Sequence, residues 1–158
     1  MDPILLTNFI SFRLLKSGDA GVSVLKVQKL LYYVQAWHLV FFEGNPLFEE
    51  DFEAWVHGPV CSKVFAYHKY DLKKYMYSDI SESDISAIDF SGIPSSVEGH
   101  VDAVLEIYGK FSGAQLEEFT HREDPWVSAR QGLKPYESSR RVITKESMAN
   151  FYRSLLPE

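Results

Sequence analysis

Residues 24–43, VLKVQKLLYYVQAWHLVFFE, restrict the fold more than any other stretch. Apolar residues at Val27, Leu30, Leu31, Val34, Trp37 and Phe41, led in by Val24, recur in steps of three, four and seven. Such steps line one side of a helix. Ser23 offers its hydroxyl to a free backbone N–H at the start. Gly44 accepts the left-handed conformation that closes helices. A helix of this length is the spine of a small domain, and everything else must pack around it. Tyr32 and Tyr33 are adjacent and project about 100° apart, so one of them is expected at a polar rim.

The residues that follow break the pattern. Asn45-Pro46 signals a turn. Leu47-Phe48 and Phe52–Val56 flank the acidic tip Glu49-Glu50-Asp51, which predicts a small hairpin beside the spine. A lone hairpin is marginal in water, so Phe48 and Trp55 are expected to pack on the helix. Gly58-Pro59 then turns the chain, and Pro59 suits the first position of a third helix over about 59–70. Upstream, Asp2-Pro3 caps and opens helix 1, with Gly18 as its stop. Downstream, 71–78 reads as a loop and 81–99 as a surface connection with at most one helical turn. A helix over 97–111 follows. Ser112 and Gln115 stand at capping-box spacing for the next. Asp124-Pro125 repeats the cap-plus-proline pattern. After a polar loop at 132–141, Thr144 caps a last helix at 145–155. The sum is a mainly α, compact multi-helix single domain, 1–158, with a small β-hairpin.

Composition narrows what such a domain does. The chain has 158 residues, 46% of them apolar and 15% aromatic, with a formal net charge of −6. That size supports a core without staples. The acidic balance opposes a nonspecific grip on phosphate backbones, so no nucleic-acid partner is expected; a basic partner would suit it. The lone cysteine, Cys61, leaves no internal disulfide, so a reducing compartment is the default. The start lacks the charge and cleavage pattern of a secretion signal. The apolar run from Leu30 to Phe42, interrupted by Gln35 and His38, is too short to span a bilayer. A soluble cytoplasmic protein without a membrane role is expected.

The candidate chemistry is sparse. Cys61 lies four residues from His57, and His121 is elsewhere; a thiol with an imidazole can be a nucleophile and base. A helix N-terminus would lower the thiol's pKa if the thiol faced it. No third orienting group is identifiable, and the bland alternative is a buried cysteine. The five histidines show no metal-binding pair, so no metal or cofactor is expected. Ala54–Val60, AWVHGPV, reads first as structure, with Trp55 filling the core and Gly-Pro fixing a corner. It also reads as a docking corner, since a desolvated tryptophan is a typical hot spot. Thr120–Trp126, THREDPW, is the densest polar cluster. Asp124 has a capping job there, while His121, Arg122 and Glu123 could form a recognition rim beside Trp126.

Three passages, taken in order, carry a resemblance: LKVQKLLYY at 25–33 with Gln35-Ala36-Trp37, FEAWVHGPV at 52–60, and LEEFTHREDPW at 116–126 with Ala129-Arg130. At these distances the chain resembles the Panacea antitoxin domain family of phage-associated, GepA-like and SocA-like proteins. The resemblance implies an antitoxin that neutralises a cognate protein toxin, encoded beside it, by direct binding. SocA-like members also deliver their toxin to a cytoplasmic protease. The family brings no catalytic residue with it. The partner-contact candidates are therefore Trp55, His57, Pro59, His121, Arg122, Glu123 and Trp126. The rival readings are a small hydrolase using Cys61 with His57 or His121, and a DNA-binding regulator, against which the absence of a basic recognition helix counts.

Overall fold

A computed structural model describes all residues, 1–158. Helix α2 (Val24–Phe41) is its axis, and every residue from Val24 to Ala36 is buried. The expected one-sided stripe is thus a helix enclosed on all sides. The polar side chains that reading would turn to solvent instead stitch α2 to its surroundings. Lys26 bonds Asp19 and the Gly109 carbonyl. Gln28 exchanges two hydrogen bonds with the Cys61 backbone, at 3.0 and 3.1 Å. Lys29 donates to the Pro59 carbonyl, and Gln35 bridges Leu47 and Phe48. Buried polar groups must find partners, and here each partner fixes a loop that the helix would not otherwise hold.

Around α2 pack α1 (Pro3–Lys16), α5 (Ser95–Tyr108), α6 (Gly113–His121) and α8 (Lys145–Ser154). Asp2 caps α1, Ser112 and Gln115 form the capping box of α6, and Thr144 caps α8, as the sequence predicts. A single turn, α4 (Glu82–Ile85), interrupts the connection before α5; that connection ends at Pro94 and not at 99, because α5 already starts at Ser95. Tyr32 and Tyr33 are both buried, and neither is a rim residue. Tyr33 stacks on Tyr108 at 4.1 Å, while Tyr32 packs edge-on against Phe52 and Tyr152. Both rings also meet each other and share Tyr152 as a neighbour, so one aromatic cluster accommodates them.

The hairpin exists but in another place. β1 (Phe52–Trp55) pairs with β2 (Gly58–Val60), so Val56-His57 is the tip and Glu49–Asp51 is not. Leu47 and Phe48 are buried coil tied to Gln35. Gly58, at φ +96°, supplies the left-handed residue after the turn that hairpins use. Pro59 therefore lies in a strand and opens no helix. The third helix, α3 (Ser62–Ala66), starts later and runs into a wider π-helical turn, Tyr67–Asp71. A third strand, β3 (Val142–Ile143), pairs antiparallel with β1, giving the order β2-β1-β3. This distant strand supplies the support that two strands alone lack. No helix of the chain is long and apolar enough to cross a membrane.

Candidate partner-binding site

The passages that carry the resemblance meet at one corner, built from α2, the β1–β2 turn, α6 and α7 (Asp124–Ala129). Gly58 is its pivot. A Cβ there would lie 2.7 Å from Lys29 Cε and 2.8 Å from Thr120 Oγ1. Only glycine fits such a gap, and only glycine takes this backbone conformation without strain.

Beneath it, Lys29 is fully buried, with its Nζ 2.9 Å from the Pro59 carbonyl. Burial lowers its pKa to about 7, against the opposing pull of Glu117. Glu117 also meets the His57 ring, Nδ1 to Oε1, at 3.1 Å. The linkage sign follows from the depressed value. Below pH 7 the ammonium is charged in both states and its burial cost is present in full. Between about pH 7 and 10.5 the unfolded chain holds a proton that the folded one has released, so stability rises with pH, by at most ~5 kcal/mol. Unfolding by urea at pH 7 and pH 9 should show this rise, and Lys29→Met should remove it; an equal rise in the variant would assign the slope to other groups.

Glu123 turns inward and its Oε1 accepts hydrogen bonds from Tyr33 and Tyr152, at 2.7 and 2.9 Å. Burial raises its pKa, and the two hydroxyls oppose that shift. Glu123 is also the residue at the N-cap of α7. Asp124, expected to cap, is the first helical residue and accepts from Ser128 instead. His121 stacks on Trp126 with ring centres 4.1 Å apart, and burial lowers the imidazole's pKa. Trp126 is half-buried and donates through Nε1 to the Trp55 carbonyl at 2.8 Å.

Arg130, 5% exposed, lies over the Trp126 ring and donates to the carbonyls of Ala54, Lys134 and Glu137. It ties the hairpin to the 132–141 loop. Trp55, expected in the core, is only half-buried. Its ring meets Phe65 edge-on at 4.9 Å, and its Nε1 donates to Glu53, which also holds Arg140. Two clefts, of about 490 and 310 Å³, share Trp55 and Arg140 as a wall.

The structure therefore divides the seven candidates. Trp55, His57 and Arg122 keep accessible surface, and Trp126 and His121 are half-buried. Pro59 is buried and Glu123 is spent on interior bonds, so neither forms a rim. Lys29, Glu117 and Arg130 shape the corner from within, and Arg140 adds an exposed cation at its edge. The helix gave one signal of Lys29: α2 contains two lysines but no acid to pair with them on a solvated face. Arg130 gave only its place after the 116–126 passage, because its hydrogen bonds all go to backbone carbonyls.

Cys61 is fully buried, and burial raises its thiol pKa despite the helix-start amides of Lys63 and Val64. The expected lowering by a helix N-terminus is thus overturned by desolvation. A cleft of about 720 Å³ between α1, α2, α5 and α6 includes neither Cys61 nor a histidine in its lining. No three His, Cys, Asp or Glu side chains gather as a metal-binding group.

Residues 27–127 match the family model described as antitoxin SocA-like, Panacea domain. The curated protein named Antitoxin SocA, from Caulobacter vibrioides, is 32% identical over 113 residues, covering 68% of this chain. The aligned region spans 60% of that relative's length. No solved structure matches.

Proposed function

This chain belongs to the SocA-like antitoxin family built on the Panacea domain, and from that premise we propose that it silences a protein toxin by binding it. The observation that carries this reading is the state of the shared corner. Its polar groups Lys29, Glu123 and Arg130 are committed to internal hydrogen bonds. What remains on offer is a half-exposed tryptophan between two clefts. That is the material of a binding hot spot. The buried thiol, with its raised pKa, supports a non-enzymatic mode of action over a cysteine hydrolase. Site blocking or distortion of the toxin does the work, with no bond made or broken, in the cytoplasm. A complex of ordinary stability would bury about 1,200–2,000 Å² in total.

The test is co-expression with the product of the adjacent gene. Growth should be rescued, and the two proteins should co-purify. Trp55→Ala should weaken the complex by about 2 kcal/mol, roughly thirtyfold, while its melting temperature stays near that of the parent. Absent rescue together with absent co-purification would refute the antitoxin reading. Cys61→Ala should rescue as well as the parent chain; loss of rescue in a folded Cys61→Ala protein would revive the hydrolase. SocA-like delivery to a protease is a separable addition. It predicts a shorter toxin half-life in the presence of this chain, and an unchanged half-life would leave plain neutralisation.

A further inference from the structure

The face around Trp55 continues into the 63–78 segment, which is unlike the rest of the protein. It holds four lysines and one aspartate, a charge of +3 where the whole chain has −6, so the other 142 residues carry −9. Lys63 and Lys74 meet carboxylates of Glu50 and Asp84. Lys69 and Lys73 meet none: Lys69 lies over the Tyr70 ring at 5.3 Å, and Lys73 donates to the Tyr70 carbonyl. Three tyrosines of the segment, Tyr70, Tyr75 and Tyr77, are each more than 60% exposed.

Three of these residues reach the clefts or their walls. Lys69 and Tyr70 line the smaller one with Trp55, Phe65 and Arg140. On the other side His57 lines the larger cleft, and its ring meets Tyr77 at 5.9 Å. Arg140 is paired with Glu53 but its side chain remains 73% exposed. No carboxylate lines either cleft. The result is a basic, aromatic strip on an acidic molecule, rich in the tyrosine, tryptophan and arginine that dominate interface energetics.

We propose that this strip receives an acidic, partly apolar segment of the partner protein, its carboxylates facing Lys69 and Arg140 and an apolar side chain entering beside Trp55. For the partner's identity, though not for the surface, this rests on the antitoxin reading. A nucleic acid is the disfavoured occupant. An extended polyanion meets the field of the whole chain at −6, whereas a short acidic segment meets only charges within about a Debye length, ~10 Å at 0.1 M salt.

Fluorescence anisotropy on the full-length chain tests this with four probes. They are a labelled twelve-residue peptide alternating glutamate and leucine, its glutamine counterpart, a twelve-nucleotide single-stranded RNA, and the product of the adjacent gene. The glutamate peptide should bind at least tenfold more tightly than the other two small probes, and the adjacent-gene product should displace it. Lys69→Glu combined with Tyr70→Ala should weaken both the peptide and the adjacent-gene product about tenfold, as expected for charge reversal on a complementary surface. Arg153→Glu, a charge reversal on α8, should leave both unchanged, and circular dichroism should report all variants folded. If the RNA binds best, or if the double variant binds the glutamate peptide like the parent, the proposal is overturned. If the adjacent-gene product binds but neither displaces the peptide nor responds to the double variant, the proposal falls and the antitoxin reading stands. If the peptide behaves as expected and the adjacent-gene product does not bind at all, the surface stands and the antitoxin reading falls.

Discussion

Gly58→Ala should destabilise the fold by about 3 kcal/mol, lowering the melting temperature by roughly 10 °C. Two costs add. The first is conformational, because φ at Gly58 is +96° and a side chain there crowds the backbone. The second is steric, because the new methyl would meet Lys29 Cε and Thr120 Oγ1 at under 3 Å. Neither neighbour can simply retreat. Lys29 Nζ is held by the Pro59 carbonyl, and the Thr120 hydroxyl donates to the Glu117 carbonyl at 2.7 Å. The two costs can be separated. Shortening Lys29 to alanine removes one of the clashes, so Gly58→Ala should cost less in a Lys29→Ala background than alone, a coupling of the kind contacting residues show. Thermal unfolding of the four proteins measures it. Strict additivity would show that Gly58 is needed for its backbone conformation only.

Arg130→Ala should cost about 3 kcal/mol. The guanidinium is nearly buried and donates to three carbonyls on two segments, Ala54 in β1 and Lys134 and Glu137 in the 132–141 loop. Removing it leaves at least the Ala54 carbonyl without its donor in a buried setting. The larger consequence is local. Arg130 anchors the loop that delivers Arg140 to Glu53 and β3 to the edge of β1. Limited proteolysis should cut the variant within 132–141 well before the parent chain. Arg130→Lys should not restore protection, since a single ammonium cannot copy the planar fork. Equal cleavage rates in parent and alanine variant would show that the loop is held by β3 alone. With the loop released, the wall shared by the two clefts is lost, so this change should impair partner binding without touching Trp55.

The helices were legible because their signals are local. Asp2-Pro3, Ser112 with Gln115, and Thr144 each name a boundary within a few residues, and the structure uses all of them. The sheet was not legible because its decisive partner is distant. β3 is two residues long and lies some ninety positions from β1, and the β-branched pair Val142-Ile143 is too short to show a strand's alternation. Without it, the Leu47–Val56 stretch looks like a better hairpin than the true one. Asp124 failed as a cap for a similar reason. Glu123 occupies that position with its carboxylate drawn inward by Tyr33 and Tyr152, from elements 90 and 29 residues away. At the candidate site, Trp55 and His57 could be picked from composition alone, since a tryptophan beside a Gly-Pro turn is conspicuous. Pro59, in the same turn, is buried, which the sequence does not reveal. The basic strip beyond them was visible as charge in 63–78, but only the fold brings Lys69 and Tyr70 beside Trp55.

Native mass spectrometry of the purified chain mixed with the purified adjacent-gene product addresses the mode of action at its root. The expected species weighs the same as two intact chains together, and the toxin separated from it under denaturing conditions should have its original mass and, once refolded, its activity. A toxin recovered with an altered mass, or one silenced without ever forming a complex, would mean that this protein acts by chemistry or by another route and not by its grip.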